Sequence, residues 1–133
     1  MKVSNVCGKC GQQNIITAKD IVRETVYDEK GNKLFLTCYY CTDCRQLRVL
    51  QIDNEESQNT LKSIRELTCS VIERKRKGLK VRNKQVKRRE ELQKKLSRIR
   101  KHVNETYIGE HVKNEKFDIY NLTVDNGGGI ICL

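Results

Sequence analysis

The chain has 133 residues, no Trp, no Pro and a formal net charge of +10. With 37% apolar and 33% charged residues, it cannot fill one large core, which points to a small stapled unit joined to solvated helices. Excess positive charge attracts polyanions such as nucleic acid, without fixing either fold or target.

The opening MKVSNVCGKC holds no apolar run fit for a signal peptide, and no stretch approaches membrane-spanning length. The expectation is a cytoplasmic protein with no membrane partner. In a reducing compartment, seven cysteines with C-x2-C spacings read as metal ligands before disulfides.

Residues 1–53 read as a short β meander. Ile15 to Thr17 and Ile21 to Tyr27 are rich in β-branched residues, and Asp28 to Asn32 supplies a turn. Lys33 to Tyr40 gives the next strand and Arg48 to Ile52 another. Cys7-Gly8-Lys9-Cys10-Gly11 has the form of a metal knuckle. A two-residue spacer lets both sulfurs face one ion, and Gly11 can close the turn at positive φ.

The second pair lies within LTCYYCTDC, residues 36–44, where three cysteines overlap at two C-x2-C spacings. Pairing Cys38 with Cys41 puts two strand-favouring tyrosines inside a tight turn. Pairing Cys41 with Cys44 puts Thr42-Asp43 there, and Asp is the better turn residue. Strand alternation also sets Cys38 on one face with Leu34 and Leu36, as a small packing residue. Cys7, Cys10, Cys41 and Cys44 are therefore the favoured ligands, with Cys38 as the alternate. Four thiolates close a tetrahedral shell around one structural Zn2+ and leave no open catalytic position.

Cys7-x2-Cys10, the hairpin at Asp28 to Asn32 and the second C-x2-C together resemble a zinc ribbon over roughly the first 53 residues. The resemblance implies the fold and the metal; ribbons serve in transcription, replication and translation alike. The ribbon usually carries Gly after the last cysteine of a knuckle, whereas here Thr42 follows Cys41 and Arg45 follows Cys44. A ribbon followed by helices also resembles small proteins of phages and mobile elements.

Residues 54–104 read as a helical hairpin. Asp53-Asn54-Glu55-Glu56 offers an N-cap with Glu three positions on. Leu61, Ile64, Leu67, Val71 and Ile72 then recur at helical spacing, as do Val86, Leu92, Leu96, Ile99 and Val103 further on. Neither narrow stripe is stable alone in water. An antiparallel, coiled-coil-like pair turning near Lys77 to Lys80 satisfies both; one long dimerising helix is the alternative. Gly78 favours the break by ~1 kcal/mol relative to Ala. Cys69, beside the first stripe, is expected to be a buried thiol.

The charge is concentrated here. Residues 74–101 hold 15 Lys/Arg against Glu90 and Glu91, a net of +13, while the remainder of the chain sums to −3. Solvated helices usually mix signs, so this run calls for an external counter-charge, of which phosphate is the commonest. The candidate phosphate contacts are Arg74, Lys75, Arg76, Lys77, Lys80, Arg82, Lys84, Lys87, Arg88 and Arg89. An acidic protein surface is the competing partner.

Residues 105–133 suggest one strand at Phe117 to Val124, by alternation. A flexible break at Gly127 to Gly129 follows, and then an apolar tail containing Cys132. The tail either pairs with the N-terminal sheet or stays free. His102 and His111 are the only histidines, and no H-E-x-x-H, P-loop or G-x-S-x-G pattern occurs.

The expected architecture is α+β: a β zinc ribbon (1–53), a basic antiparallel helical hairpin (54–104) and a short β or irregular tail (105–133). The expected function is non-enzymatic binding of DNA or RNA, in a regulator of transcription or replication. The alternative is a phage-type or regulatory protein that uses the same hairpin to bind or inhibit a nucleic-acid-processing enzyme.

Overall fold

In the computed structural model, residues 2–125 are described; the glycine run Gly127 to Gly129 and Cys132 lie outside them. Strands β1 (Lys2–Val6) and β2 (Gln13–Thr17) form an antiparallel hairpin around the first knuckle. Sequence reasoning anticipated β2 and missed β1, whose LysValSerAsnVal has only two apolar residues. A five-stranded antiparallel sheet follows in the order β5-β4-β3-β6-β7. Its members are β3 (Val22–Asp28), β4 (Lys33–Tyr40), β5 (Leu47–Asp53), β6 (Val112–Lys113) and β7 (Asp118–Ile119).

The β3–β4 turn forms because Asp28 folds back on it. Its carboxylate accepts from the Lys30 and Asn32 backbone N–H groups at 2.9 and 2.8 Å, and Gly31 takes φ +83°. The second knuckle joins β4 to β5. Their register shifts between Thr37 and Cys38, so that Thr37 faces Gln51 while Cys38 faces Val49. Leu50 is the extra residue of this bulge, and the bulge re-aims it. Val49 and Ile52 stay in the main core, whereas Leu50 joins Tyr39, Ile16, Cys7 and Cys41 in a second core behind the knuckles.

Helix α1 (Glu55–Arg76) is capped one residue later than expected. Asn54 is the N-cap: its side chain accepts from the Ser57 N–H at 2.8 Å, and Ser57 Oγ accepts from the Asn54 N–H at 2.9 Å. Asp53 is unavailable for capping because it is buried in an ion pair. The helix ends where Gly78 adopts φ +71°, with the Leu79 N–H reaching back to the Arg74 carbonyl at 2.8 Å. Helix α2 (Asn83–Tyr107) then returns antiparallel against α1, which makes the chain α+β with a helical hairpin.

The apolar stripe of α2 serves two partners. Leu92 and Leu96 pack with Ile64, Leu61 and Leu67 of α1. Val103 and Ile99 pack instead on the sheet, against a core containing Val26, Leu34, Leu36 and Cys38. The seam between the helices is correspondingly thin, and two expectations for α1 are corrected. Ile72 is 51% exposed and Cys69 is exposed. At 100° per residue, Cys69 lies about 140° around the helix from Ile64 and turns away from the seam.

Arg100 connects the hairpin to the sheet. Only 4% exposed, its Nε donates to Asp53 Oδ1 at 3.0 Å; Asp53 is 1% exposed and also accepts from Gln51 Nε2 at 2.8 Å.

The C-terminal region completes the sheet, with β6 pairing to β3 and β7 to β6. The single strand expected at Phe117 to Val124 is reduced to Asp118–Ile119. Asn114 accepts from the Lys116 and Phe117 N–H groups, making a turn before it. Asn121 at φ +53° breaks extension after it and sends Leu122 into the core, fully buried. His111 of the preceding loop is held between carboxylates, with Nε2 on Asp118 and Nδ1 3.5 Å from Glu29, and it stacks on Tyr120.

Candidate metal centre and basic surface

Two turns of matching design bring four sulfurs together. In the first, the Cys7 N–H donates to the Gln12 carbonyl at 2.9 Å and the Gly11 N–H donates to the Cys7 carbonyl at 2.9 Å. In the second, the Cys41 N–H donates to the Gln46 carbonyl at 3.1 Å and the Arg45 N–H to the Cys41 carbonyl at 3.0 Å. The spacings are identical, so the knuckles are related position by position. Gly11 has φ +78° and its counterpart Arg45 has φ +56°. The missing glycine thus leaves the turn geometry intact and places a residue with a Cβ in the left-handed region, at a cost of roughly 1–2 kcal/mol.

The Sγ atoms of Cys7, Cys10, Cys41 and Cys44 all lie within 4.8 Å of one another. Cys7 to Cys44 is 3.8 Å and Cys10 to Cys41 is 3.5 Å. Zn–S bonds of ~2.3 Å in a tetrahedron require sulfurs about 3.8 Å apart, so the donor set and its spacing fit one zinc ion. Among the described residues no other His, Cys, Asp or Glu cluster of this kind occurs. Cys38 is elsewhere, fully buried in the main core beside Leu36. Burial, aided by Glu24, pushes its thiol up to about 12.

Asn14 of β2 fastens the knuckles to each other, a role that no sequence pattern revealed. Its Oδ1 accepts from the Thr42 N–H at 3.0 Å and from the Thr42 hydroxyl at 2.9 Å. Its Nδ2 donates to Cys41 Sγ at 3.5 Å and to the Gln12 carbonyl at 3.1 Å. Burial opposes ionisation of Cys41, but N–H donation from Cys44, Asn14 and Asp43 prevails and brings the thiol down to about 6. At Cys10 a Gln12 backbone hydrogen bond favours the thiolate. Desolvation and the neighbouring sulfurs, Cys41 first among them, outweigh it and push that thiol up to about 12. Such a split is what four close sulfurs produce before a cation neutralises them.

Asp125 closes over the first knuckle. Its Oδ2 accepts from Arg48 Nε at 2.9 Å and from the Tyr39 hydroxyl at 3.2 Å, and its N–H donates to the Val49 carbonyl at 3.0 Å. Burial would raise its pKa, but Arg48, the Gly8 N–H and Tyr39 hold it below the usual carboxylate value. The approach is close enough that a Cβ on Gly8 would stand 2.8 Å from Asp125 Oδ1. Residues 121–125 thus run back to the N-terminal module through Asp125, and the tail that the sequence leaves either paired or free lies outside the described residues.

The basic candidates lie along the far half of the hairpin. Arg74, Lys75 and Arg76 end α1; Lys77, Lys80 and Arg82 lie in the turn; Lys84, Lys87, Arg88 and Arg89 start α2. All are exposed except Arg74 and Arg89, which are half-buried. Arg74 Nε is spent on the Lys80 carbonyl at 3.0 Å. Glu73 approaches Lys77 and Arg76, and Glu91 approaches Arg88, at 3.5 to 3.9 Å across exposed surface, where such pairs contribute little. Lys94, Lys95, Arg98 and Lys101 extend the exposed surface along α2. The ten-residue set omitted them, although helical periodicity alone puts them on a common flank with Lys84, Lys87 and Arg88. Arg100 is the exception within the run, being turned inward to Asp53.

Compared with known proteins, the chain matches no family model, no curated protein and no solved structure. Among the described residues no helix is long and apolar enough to cross a membrane.

Proposed function

We propose that the protein is a non-enzymatic nucleic-acid-binding protein, in which a β module built around one structural zinc ion holds a basic helical hairpin against DNA or RNA. One observation carries the reading. Residues 74–101 set 15 cations against two acids, and twelve of those cations are exposed along the two helices and their turn. Phosphates supply the absent counter-charge, and each contact releases condensed counterions. Zinc bound by four thiolates supplies folding free energy and no open coordination position. The β module orients the hairpin through Arg100, Ile99 and Val103. Contacts of this kind position the protein on a backbone without reading sequence.

The test is filter binding of the zinc-loaded protein to DNA and RNA at low salt, where retention that falls steeply with added salt is expected. Absence of retention for every nucleic acid rejects the reading. A protein partner that survives nuclease treatment and is lost on charge reversal at Arg74 to Lys77 would replace it with a role in binding a nucleic-acid-processing enzyme.

A further inference from the structure

We propose that the ligand of the basic hairpin is a duplex, held by its phosphate backbone along one flank of α2 and without base readout. The inference rests on the nucleic-acid reading above and narrows it.

The arrangement of the cations is the first ground. Lys84, Lys87, Arg88, Lys95, Arg98 and Lys101 follow one another at steps of three, one, seven, three and three, which at 100° per residue confines them to about 140° of one side of the helix. That flank stands roughly 120° around the axis from the Leu92 and Leu96 seam, so packing against α1 leaves it open, and each of the six is exposed. At 1.5 Å per residue the stretch from Lys84 to Lys101 is about 26 Å long. A duplex carries one charge per ~1.7 Å of axis, counting both strands, so a length of about 26 Å holds about 15 phosphates wound on a stiff axis, part of them on the side that faces the helix. A flexible strand would have to be ordered to match it.

The second ground is the absence of aromatic side chains from the hairpin. Single-strand binders combine a basic track with aromatic platforms on which bases stack. Residues 54–104 contain no Phe, Tyr or Trp. The exposed aromatics Tyr27, Tyr40 and Tyr120 belong to the β region. Nothing on the hairpin rewards unstacking a base.

The third ground concerns the grooves. Each helix with its side chains is about 10 Å wide, so the pair side by side exceeds a major groove of ~12 Å. Amide side chains, which read adenine edges, are also scarce. Gln85 is committed to Ser70 at 2.9 Å, which leaves Asn83 and Gln93 as the exposed amides of residues 70–101. The hairpin is built to lie across phosphates.

DNA and RNA duplexes share this chemistry, and the experiment separates them. The full zinc-loaded chain is titrated by fluorescence polarisation against a 24-base-pair DNA duplex, an RNA duplex of the same length and a 24-nucleotide oligo-dT strand, over a range of salt. At least one duplex should bind about tenfold or more tightly than the single strand, with equal affinity for unrelated duplex sequences. Engagement of about six phosphates gives a slope of log K against log salt near −5. Lys95→Glu with Arg98→Glu should weaken duplex binding at least tenfold, whereas Lys30→Glu with Lys116→Glu, the same charge change on the sheet side, should not. Circular dichroism and zinc content confirm that each variant is folded. Single-strand binding as tight as duplex binding overturns the inference while keeping the nucleic-acid reading. So does a strong sequence preference, or duplex binding indifferent to the α2 flank. No binding to any of the three probes rejects both.

Discussion

The two ends of this molecule are held together by opposite means. In the β module nearly every polar group near the sulfurs has a fixed partner. Asn14 is spent on Thr42, Cys41 and Gln12, and Asp125 on Arg48, Tyr39 and the Val49 carbonyl. Its order comes from directional bonds between residues far apart in sequence. The hairpin relies on a seam of Ile64, Leu92 and Leu96 with Leu61 and Leu67 at its margins, and its outer surface is repelling charge. The first region is specified by geometry that tolerates few substitutions. The second is specified by periodicity, and its surface is free to be chosen for a partner.

The largest effect that would break this contrast is removal of the metal. Chelation, or Cys44→Ala, should unfold the β1–β2 hairpin and both knuckles, with a loss on the order of 10 kcal/mol. The expected readout is loss of zinc stoichiometry together with amide protection in residues 2–50. Protons compete with the metal for sulfur, so the effect of pH has one direction. The Cys41 thiol, brought down to about 6 by N–H donation, favours the thiolate that a metal needs. Zinc should be held at neutral pH and released as the pH falls, as a metallochromic indicator in a pH titration would record. Retention unchanged into strong acid would contradict thiolate ligation.

Next in size is the joint between the two regions. Arg100→Ala leaves Asp53 charged and buried without its partner and should cost about 3–5 kcal/mol in denaturant unfolding. Charge loss at exposed Lys101 should cost almost nothing. Equal effects would mean that the hairpin does not depend on the sheet. Cys38→Ala removes a buried sulfur from the main core and should cost about 1–2 kcal/mol with one zinc retained per chain. Smallest, and opposite in sign, Arg45→Gly relieves the left-handed strain of the second knuckle and should stabilise by about 1 kcal/mol. A loss instead would show that the Arg45 side chain contributes contacts that outweigh its backbone cost.

Strands β2 to β5, both helices and the separation of Cys38 from the other cysteines were legible in the sequence because each rests on a local pattern. Alternation sets Cys38 beside Leu36, Asp43 suits a turn, and Gly78 ends a helix. What could not be read depends on distant residues. Arg100 sits in a run of cations and is indistinguishable there from Lys101, until Asp53 is placed opposite it by the β4–β5 ladder. The alternation of Phe117 to Val124 is real, but Asn121 in the left-handed region divides it and turns Leu122 inward. Asn14 looks like an ordinary strand polar residue, and its importance appears only once two knuckles flank it. The extra residue of the bulge, Leu50, likewise has no signature in sequence.

Asp125 also sets an order of events during synthesis. The second knuckle is complete once Gln46 has left the ribosome, and four sulfurs can then gather around a metal ion. The carboxylate that secures Arg48, Tyr39 and the Gly8 N–H is made about 80 residues later, at ~5–20 residues per second some 4 to 16 seconds afterwards. For that interval the nascent chain carries a metal centre without its clasp, while the basic helices emerge. The four sulfurs can therefore gather before the clasp that covers the first knuckle exists, and the clasp is added to a site already assembled.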